Sequence, residues 1–115
     1  MPLLRVCVSS PIDPQLQQGL MSELSRRTAE ILGKRENYMM VIVEHQPMLM
    51  GGTSDRSAYA EVRSVGEITA RQAEQLAEAL SSTVAPKLDI DPDRIYANFF
   101  GVNGAMWGWG GRTFG

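Results

Sequence analysis

The chain has 115 residues, 43% hydrophobic and 21% charged, and carries a formal net charge of −2. That composition fits a single globular domain over residues 1–115, large enough to bury about two-thirds of the surface its unfolded chain exposes. No basic run favours nucleic acid or anionic membrane surfaces, no apolar run approaches the ~20 residues of a membrane span, and one cysteine with one histidine argues against a disulfide framework or a Cys/His metal site.

Leu3–Val8 reads as a short strand whose alternation sets Pro2, Leu4, Val6 and Val8 against Leu3, Arg5 and Cys7. Asp13-Pro14 is an acidic cap followed by a first-turn proline, the opening of a helix. Leu16, Leu20, Leu24, Thr28 and Ile31 then recur on one face until Gly33 ends it. Tyr38–Val43 (YMMVIV) is apolar without alternation, which predicts a strand covered on both sides. Met50–Arg56 is a loop by composition.

The plan then repeats. Ala58–Val65 (AYAEVRSV) alternates as a strand, and Thr69 with Gln72 forms a capping box for a second helix. Ala73, Leu76, Ala77, Leu80 and Val84 supply its apolar stripe, and Pro86 falls where it runs out. After the turn DIDPDR comes the strand Ile95–Phe100. Two β-α-β units with right-handed crossovers predict an α+β two-layer sandwich. It has a four-stranded mixed sheet, two helices on one face and short C-terminal strands. Two helices cover only one face, and another copy of the chain is the simplest cover for the other, so a homo-oligomer is expected. The tail GAMWGWGGRTFG, with two tryptophans and a phenylalanine among its glycines, suits short strands that either line a pocket or finish the core.

Few residues offer chemistry. Once an initiator methionine is removed, Pro2 has a secondary amine in place of an amide, and apolar surroundings or a nearby cation favour its uncharged, basic form. The alternative is a proline that merely opens a strand. Lys34 follows Gly33 at a helix C-terminus, where the dipole favours a cation and where it is also placed to hold a carboxylate. Asn98 lies between Tyr96 and Phe100 on one strand face and needs a hydrogen-bond partner if buried. Cys7 reads as a packed small residue and His45 as solvent-facing. No Ser-His-Asp set, phosphate loop or carboxylate pair is visible.

In order and spacing, several segments together resemble the macrophage migration inhibitory factor family of the tautomerase superfamily. They are the initial Met-Pro, MSEL in the first helix, Gly33-Lys34, Tyr38, Gly51-Gly52, SVG at 64–66, DPDRIYANFF and GWGGRTFG. The resemblance implies a homotrimer with active sites at subunit boundaries, no cofactor, and Pro2 as general base. It implies Lys34 and the Val65 backbone as binders of the substrate's carboxylate or carbonyl oxygens. Tyr96 and Asn98 of a neighbouring subunit would line the pocket, and Tyr38, Trp107, Trp109 and Phe114 would form its aromatic wall. The implied reaction is keto–enol tautomerisation of small aromatic 2-oxo acids such as phenylpyruvate, with related dopachrome-type activity.

Two departures stand out. The Cys-x-x-Cys of vertebrate relatives is replaced by Ser57–Ala60 (SAYA), which removes that thiol chemistry, and Trp107 fills a position commonly held by a smaller aliphatic residue. The competing reading is a cytokine-like trimer that binds a receptor or other partner around a vestigial pocket. With no signal peptide apparent, the expected location is the cytoplasm, and export would need a route independent of one.

Overall fold

The computed structural model describes residues 1–115. Strand β1 spans Pro2–Val8, helix α1 Pro14–Leu32, β2 Met40–His45, β3 Ala58–Val65, α2 Ala70–Leu88 and β4 Ile95–Val102. Two short strands follow, β5 (Gly108–Trp109) and β6 (Arg112–Thr113). The main sheet is ordered β2-β1-β3-β4. β1 pairs parallel with β2 and β3 parallel with β4, while β1 and β3 run antiparallel at the centre. The expected mixed sheet of two β-α-β units is therefore present, with α1 and α2 packed on one face.

The caps work as their residues predict. The Asp13 carboxylate accepts from the backbone N–H groups of Gln15 and Leu16. Thr69 and Gln72 exchange both bonds of a capping box. Gly33 ends α1 at φ 66°, a left-handed conformation that costs glycine little. α2 runs through the exposed Pro86 to Leu88 and ends at Asp89 in the same conformation, φ 53°.

The core lies between sheet and helices. Leu4, Val6 and Val8 of β1 meet Val62, Ala60 and Ala58 of β3, and all six are nearly inaccessible. Leu20 and Leu24 from α1 and Leu76, Leu80 and Val84 from α2 close over them. At about 25 cal/mol per Å2, each such aliphatic side chain contributes roughly 1.5–3 kcal/mol.

Three sequence expectations need correction. Tyr38 does not open a strand: it ends a 3-10 turn over Glu36–Tyr38, closed by Tyr38 N–H to Arg35 O and Met39 N–H to Glu36 O. The strand itself runs Met40–His45, not Tyr38–Val43, and its helix-free side is open within one chain, where a second copy was expected to cover it: Met40 is 61% and Ile42 37% exposed. Ala77 is exposed; the buried stripe of α2 runs through Ala79 and Thr83 instead.

Register assigns the uncovered face. It carries Met40, Ile42 and Glu44 on β2, Leu3, Arg5 and Cys7 on β1, Tyr59, Glu61 and Arg63 on β3, and Tyr96, Asn98 and Phe100 on β4. Arg5 donates to Glu44 at 2.7 Å and approaches Glu61 at 3.8 Å. Tyr59 donates to Glu61 at 3.0 Å. The Arg63 guanidinium lies 4.2 Å from the Phe100 ring centre. The helix-free face is thus an apolar field crossed by a hydrogen-bonded charged band.

Candidate active site

The sheet brings five chain segments to one end. β1 and β2 start there, β3 and β4 finish there, and α1 delivers Gly33 and Lys34 to the same place. Leu3 stands opposite Met40, Pro2 opposite Ser64, and Val65 opposite Val102. Pro2, Lys34, Tyr38 and Val65 consequently converge although they are far apart in sequence. The Lys34 ammonium donates to the Val65 carbonyl at 3.2 Å. The left-handed turn at Gly33 places it there by breaking the helix one residue earlier.

With Met1 attached, Pro2 is less than 2% exposed and its nitrogen is an amide. The Met1 carbonyl accepts the Val65 N–H at 3.2 Å. Burial, and secondarily the positive field of Lys34, hold the terminal amine below its ordinary value of 8.0. The Met1 amine therefore sits where its neutral form is favoured.

The tail supplies the aromatic wall. Gly110 and Gly111, at φ 61° and 85°, make the two-residue turn between β5 and β6, a geometry only glycine-like residues adopt readily. The hairpin brings Trp109 and Phe114 into a near-parallel stack at 5.7 Å, and Tyr38 meets Trp109 edge-on at 6.2 Å. Trp107 is half-buried at the entry to the hairpin and lies outside that stack; Phe114 N–H donates to its carbonyl at 3.3 Å. Trp109 and Phe114 remain 51% and 45% exposed, so the wall faces outward and is not core.

Tyr96 and Asn98 are not part of this cluster within one chain. Asn98 pairs with Glu61 and Tyr96 with Tyr59, three and five positions along β3 from Ser64. At strand spacing that is roughly 10 and 16 Å from the Pro2 register. Both are exposed, and Tyr96 is 65% so. Cys7 is buried, and burial pushes its thiol up, consistent with a packing role. His45 is exposed as expected.

The sequence reading passed over Arg112. It stands directly opposite Trp109 in the β5–β6 ladder, on the same face as the stacked rings. The Gly-Gly pair flanked by an aromatic and an arginine was the available signal, obscured by the weight of the aromatics around it.

Known proteins resemble the chain over nearly its whole length. Macrophage migration inhibitory factor of Meriones unguiculatus is 36% identical over 115 residues, covering 99% of each chain. The crystal structure of a macrophage migration inhibitory factor homologue from Prochlorococcus marinus superposes with a TM-score of 0.92 at 34% identity, over 98% of this chain and 99% of that one. An F6 fused 4-OT asymmetric trimer, 21% identical with a TM-score of 0.85 over 96% of this chain and 94% of that one, shares the fold. The family model described as Macrophage migration inhibitory factor (MIF) matches residues 1–115, and the chain belongs to that family.

Proposed function

We propose that this protein is a cofactor-independent keto–enol tautomerase of phenylpyruvate-like 2-oxo acids, with the nitrogen of Pro2 as general base once Met1 is removed. The observation that carries the reading is the set of interactions Met1 occupies. Its peptide bond makes the Pro2 nitrogen an amide, its carbonyl takes the Val65 N–H, and Pro2 lies buried beside it. Losing that one residue would create the amine, uncover it and free a backbone donor at the same point.

In the trimmed chain the Pro2 amine takes the proton from one atom of the enol or keto form and returns it to another. The substrate's oxygens take up the freed Val65 N–H and the Lys34 ammonium. As charge develops on the carbonyl oxygen, Lys34 and Val65 stabilise it, a kind of contribution that typically changes rates about a hundredfold per donor. The rigid pyrrolidine ring fixes the direction of the lone pair, and apolar surroundings with the nearby Lys34 ammonium favour the amine's neutral form. Tyr38, Trp109 and Phe114 provide a ring-binding wall, with Trp107 narrowing its entrance.

The assembly is a homotrimer with the site at the subunit boundary. Met40 and Ile42 on the edge strand, with Tyr96 and Phe100 across the sheet, leave an apolar face that a second copy would cover. Tyr96 and Asn98, too far along β3 to serve their own Pro2, would complete a neighbour's pocket. One structural neighbour is itself described as a trimer.

The test pairs intact-mass measurement of the N-terminus with phenylpyruvate ketonisation on the same sample. The Met1-free protein should accelerate ketonisation, and Met1 retention or Pro2→Gly should remove about two to four powers of ten. The rate should rise with pH as the amine loses its proton and level off once it is neutral. A trimmed protein no faster than buffer would overturn the reading and leave partner binding as the function to pursue.

A further inference from the structure

We infer that the Pro2 site selects 2-oxo acids bearing a second carboxylate at the end remote from the oxo acid group, and that Arg112 is the residue that selects them. This rests on the tautomerase reading for the reacting group and extends it to the substrate class.

The first observation is where uncompensated positive charge collects. Of the 11 lysines and arginines, four (Arg5, Arg26, Arg56 and Lys87) are held in salt bridges. Arg27 and Arg94 spend their donors on carbonyls and hydroxyls, Arg94 on the carbonyls of Met50, Thr53, Asp55 and Arg56. The remaining five are Lys34, Arg35, Arg63, Arg71 and Arg112. All belong to the sheet end that carries Pro2: beyond α1, at the close of β3, in the first turn of α2 and in the C-terminal hairpin. Glu36 adjoins Arg35, Glu67 and Glu74 flank Arg71, and none of the three forms a salt bridge, while Glu61, two residues before Arg63, lies 3.8 Å from Arg5. A chain of net charge −2 therefore turns a positive end to whatever approaches its candidate site, which draws anions in.

The second observation separates Arg112 from the other four. Lys34 is engaged with Val65, and Arg63 lies over Phe100. Arg35 precedes the 3-10 turn Glu36–Tyr38, and Arg71 lies in the first turn of α2. Arg112 is cross-strand partner to Trp109, whose ring stacks on Phe114 and meets Tyr38 edge-on. It is exposed and has neither a carboxylate nor a hydrogen-bond acceptor of its own. A guanidinium beside an aromatic wall offers a planar fork that fits a carboxylate at two points. A ligand whose ring lies on the wall, with its oxo acid at Lys34, presents the far end of that ring toward the hairpin. A neutral far end leaves Arg112 solvated and contributes nothing there; a carboxylate pairs with it.

The test uses Met1-free protein. Turnover is measured with phenylpyruvate and 4-carboxyphenylpyruvate. Equilibrium binding is measured by calorimetry with 3-phenylpropanoate and 3-(4-carboxyphenyl)propanoate, which lack the oxo group and do not react. Wild type should prefer the dicarboxylate of each pair, and Arg112→Gln should reduce that preference about tenfold, the scale of a charge-assisted bidentate contact. The monocarboxylates should change less than about twofold, because a solvated surface charge contributes little. Arg112→Lys should recover part of the preference, and added salt should shrink it in wild type. Equal treatment of both members of each pair by wild type, or unchanged ratios in Arg112→Gln, would overturn the inference with the tautomerase reading intact. If wild type turns over neither 2-oxo acid yet still binds the dicarboxylate in an Arg112-dependent way, the tautomerase reading falls and the ligand preference stands.

Discussion

The two β-α-β halves are built to one pattern and put to different uses. Each runs from a central strand through a helix of 19 residues and a left-handed cap to a 3-10 turn and an outer strand. In the first half the strand opens on Pro2, and the residue after the cap is Lys34, exposed and reaching to Val65. In the second half the strand opens on Ala58, 4% exposed, and the residue after the cap is Ile90, 6% exposed and part of the core. The same corner is thus a candidate reactive site at one end of the sheet and a sealed hydrophobic plug at the other. What separates them is side-chain chemistry at two positions, with the backbone plan held constant.

Exchanging the residue types at those corners should break the comparison most severely on the sealed side. Ile90→Lys puts an unpaired ammonium into the core beside Leu88 and Ile95 and should cost about 3–5 kcal/mol, read as a large fall in the urea midpoint. The reciprocal change, Lys34→Ile, removes an exposed side chain and should leave stability within about 0.5 kcal/mol. Its effect should instead be on turnover, about a hundredfold loss of phenylpyruvate kcat/KM in trimmed protein. If Lys34→Ile unfolds the protein or spares the rate, the division of labour between the two corners is wrong.

The caps sharpen the same contrast at lower energy. Gly33→Ala forces a Cβ into the left-handed region and should destabilise by about 1 kcal/mol. It should also lower activity more than stability alone explains, because the turn aims Lys34. Asp89→Gly relieves the strain of a non-glycine residue at φ 53° and should stabilise by about 0.5–1 kcal/mol. The Arg56–Asp89 pair it sacrifices is largely solvent-exposed and offsets little of that gain. Thermal melts of both variants at one protein concentration would check the opposite signs.

Much of this was legible in the residues, for reasons that differ by segment. AYAEVRSV alternates strictly because one face of β3 meets the core, so its pattern and bounds could be read directly. Asp13 and the Thr69–Gln72 pair mark helix starts through hydrogen bonds that use only local residues. Tyr38 misled because an apolar run carries no phase: the 3-10 turn that withholds it from β2 is closed by backbone bonds to Arg35 and Glu36, which composition does not encode. Ala77 and Ala79 have the same side chain, and only packing against α1 distinguishes the exposed one from the buried one. The Pro2–Lys34–Val65 cluster was approached through family resemblance, since it joins three segments that only sheet register brings together. Arg112 was only faintly marked, by the Gly-Gly turn beside it: its neighbour across the ladder, and the absence of an acidic partner, are facts of three dimensions.

The smallest effect lies on the uncovered face of the sheet. Arg5 of the first half reaches Glu44 on β2 and Glu61 on β3, tying the two units across the uncovered face. The hydrogen bond from Arg5 holds the Glu44 carboxyl below its ordinary value of 4.5. A carboxyl depressed in the folded state stabilises the fold at pH values above its unfolded pKa, and that contribution disappears as pH falls through the lower, folded value. Urea midpoints should therefore be flat for this contact from neutrality down to about pH 5 and decline below it. Glu44→Gln should be slightly less stable than wild type near pH 7, and the two curves should converge in acid, with the variant lacking part of the decline. High salt should narrow the gap at pH 7, because both side chains are partly exposed. Parallel curves for wild type and Glu44→Gln across the whole range would mean that the Arg5–Glu44 contact adds nothing to the backbone pairing of β1 with β2.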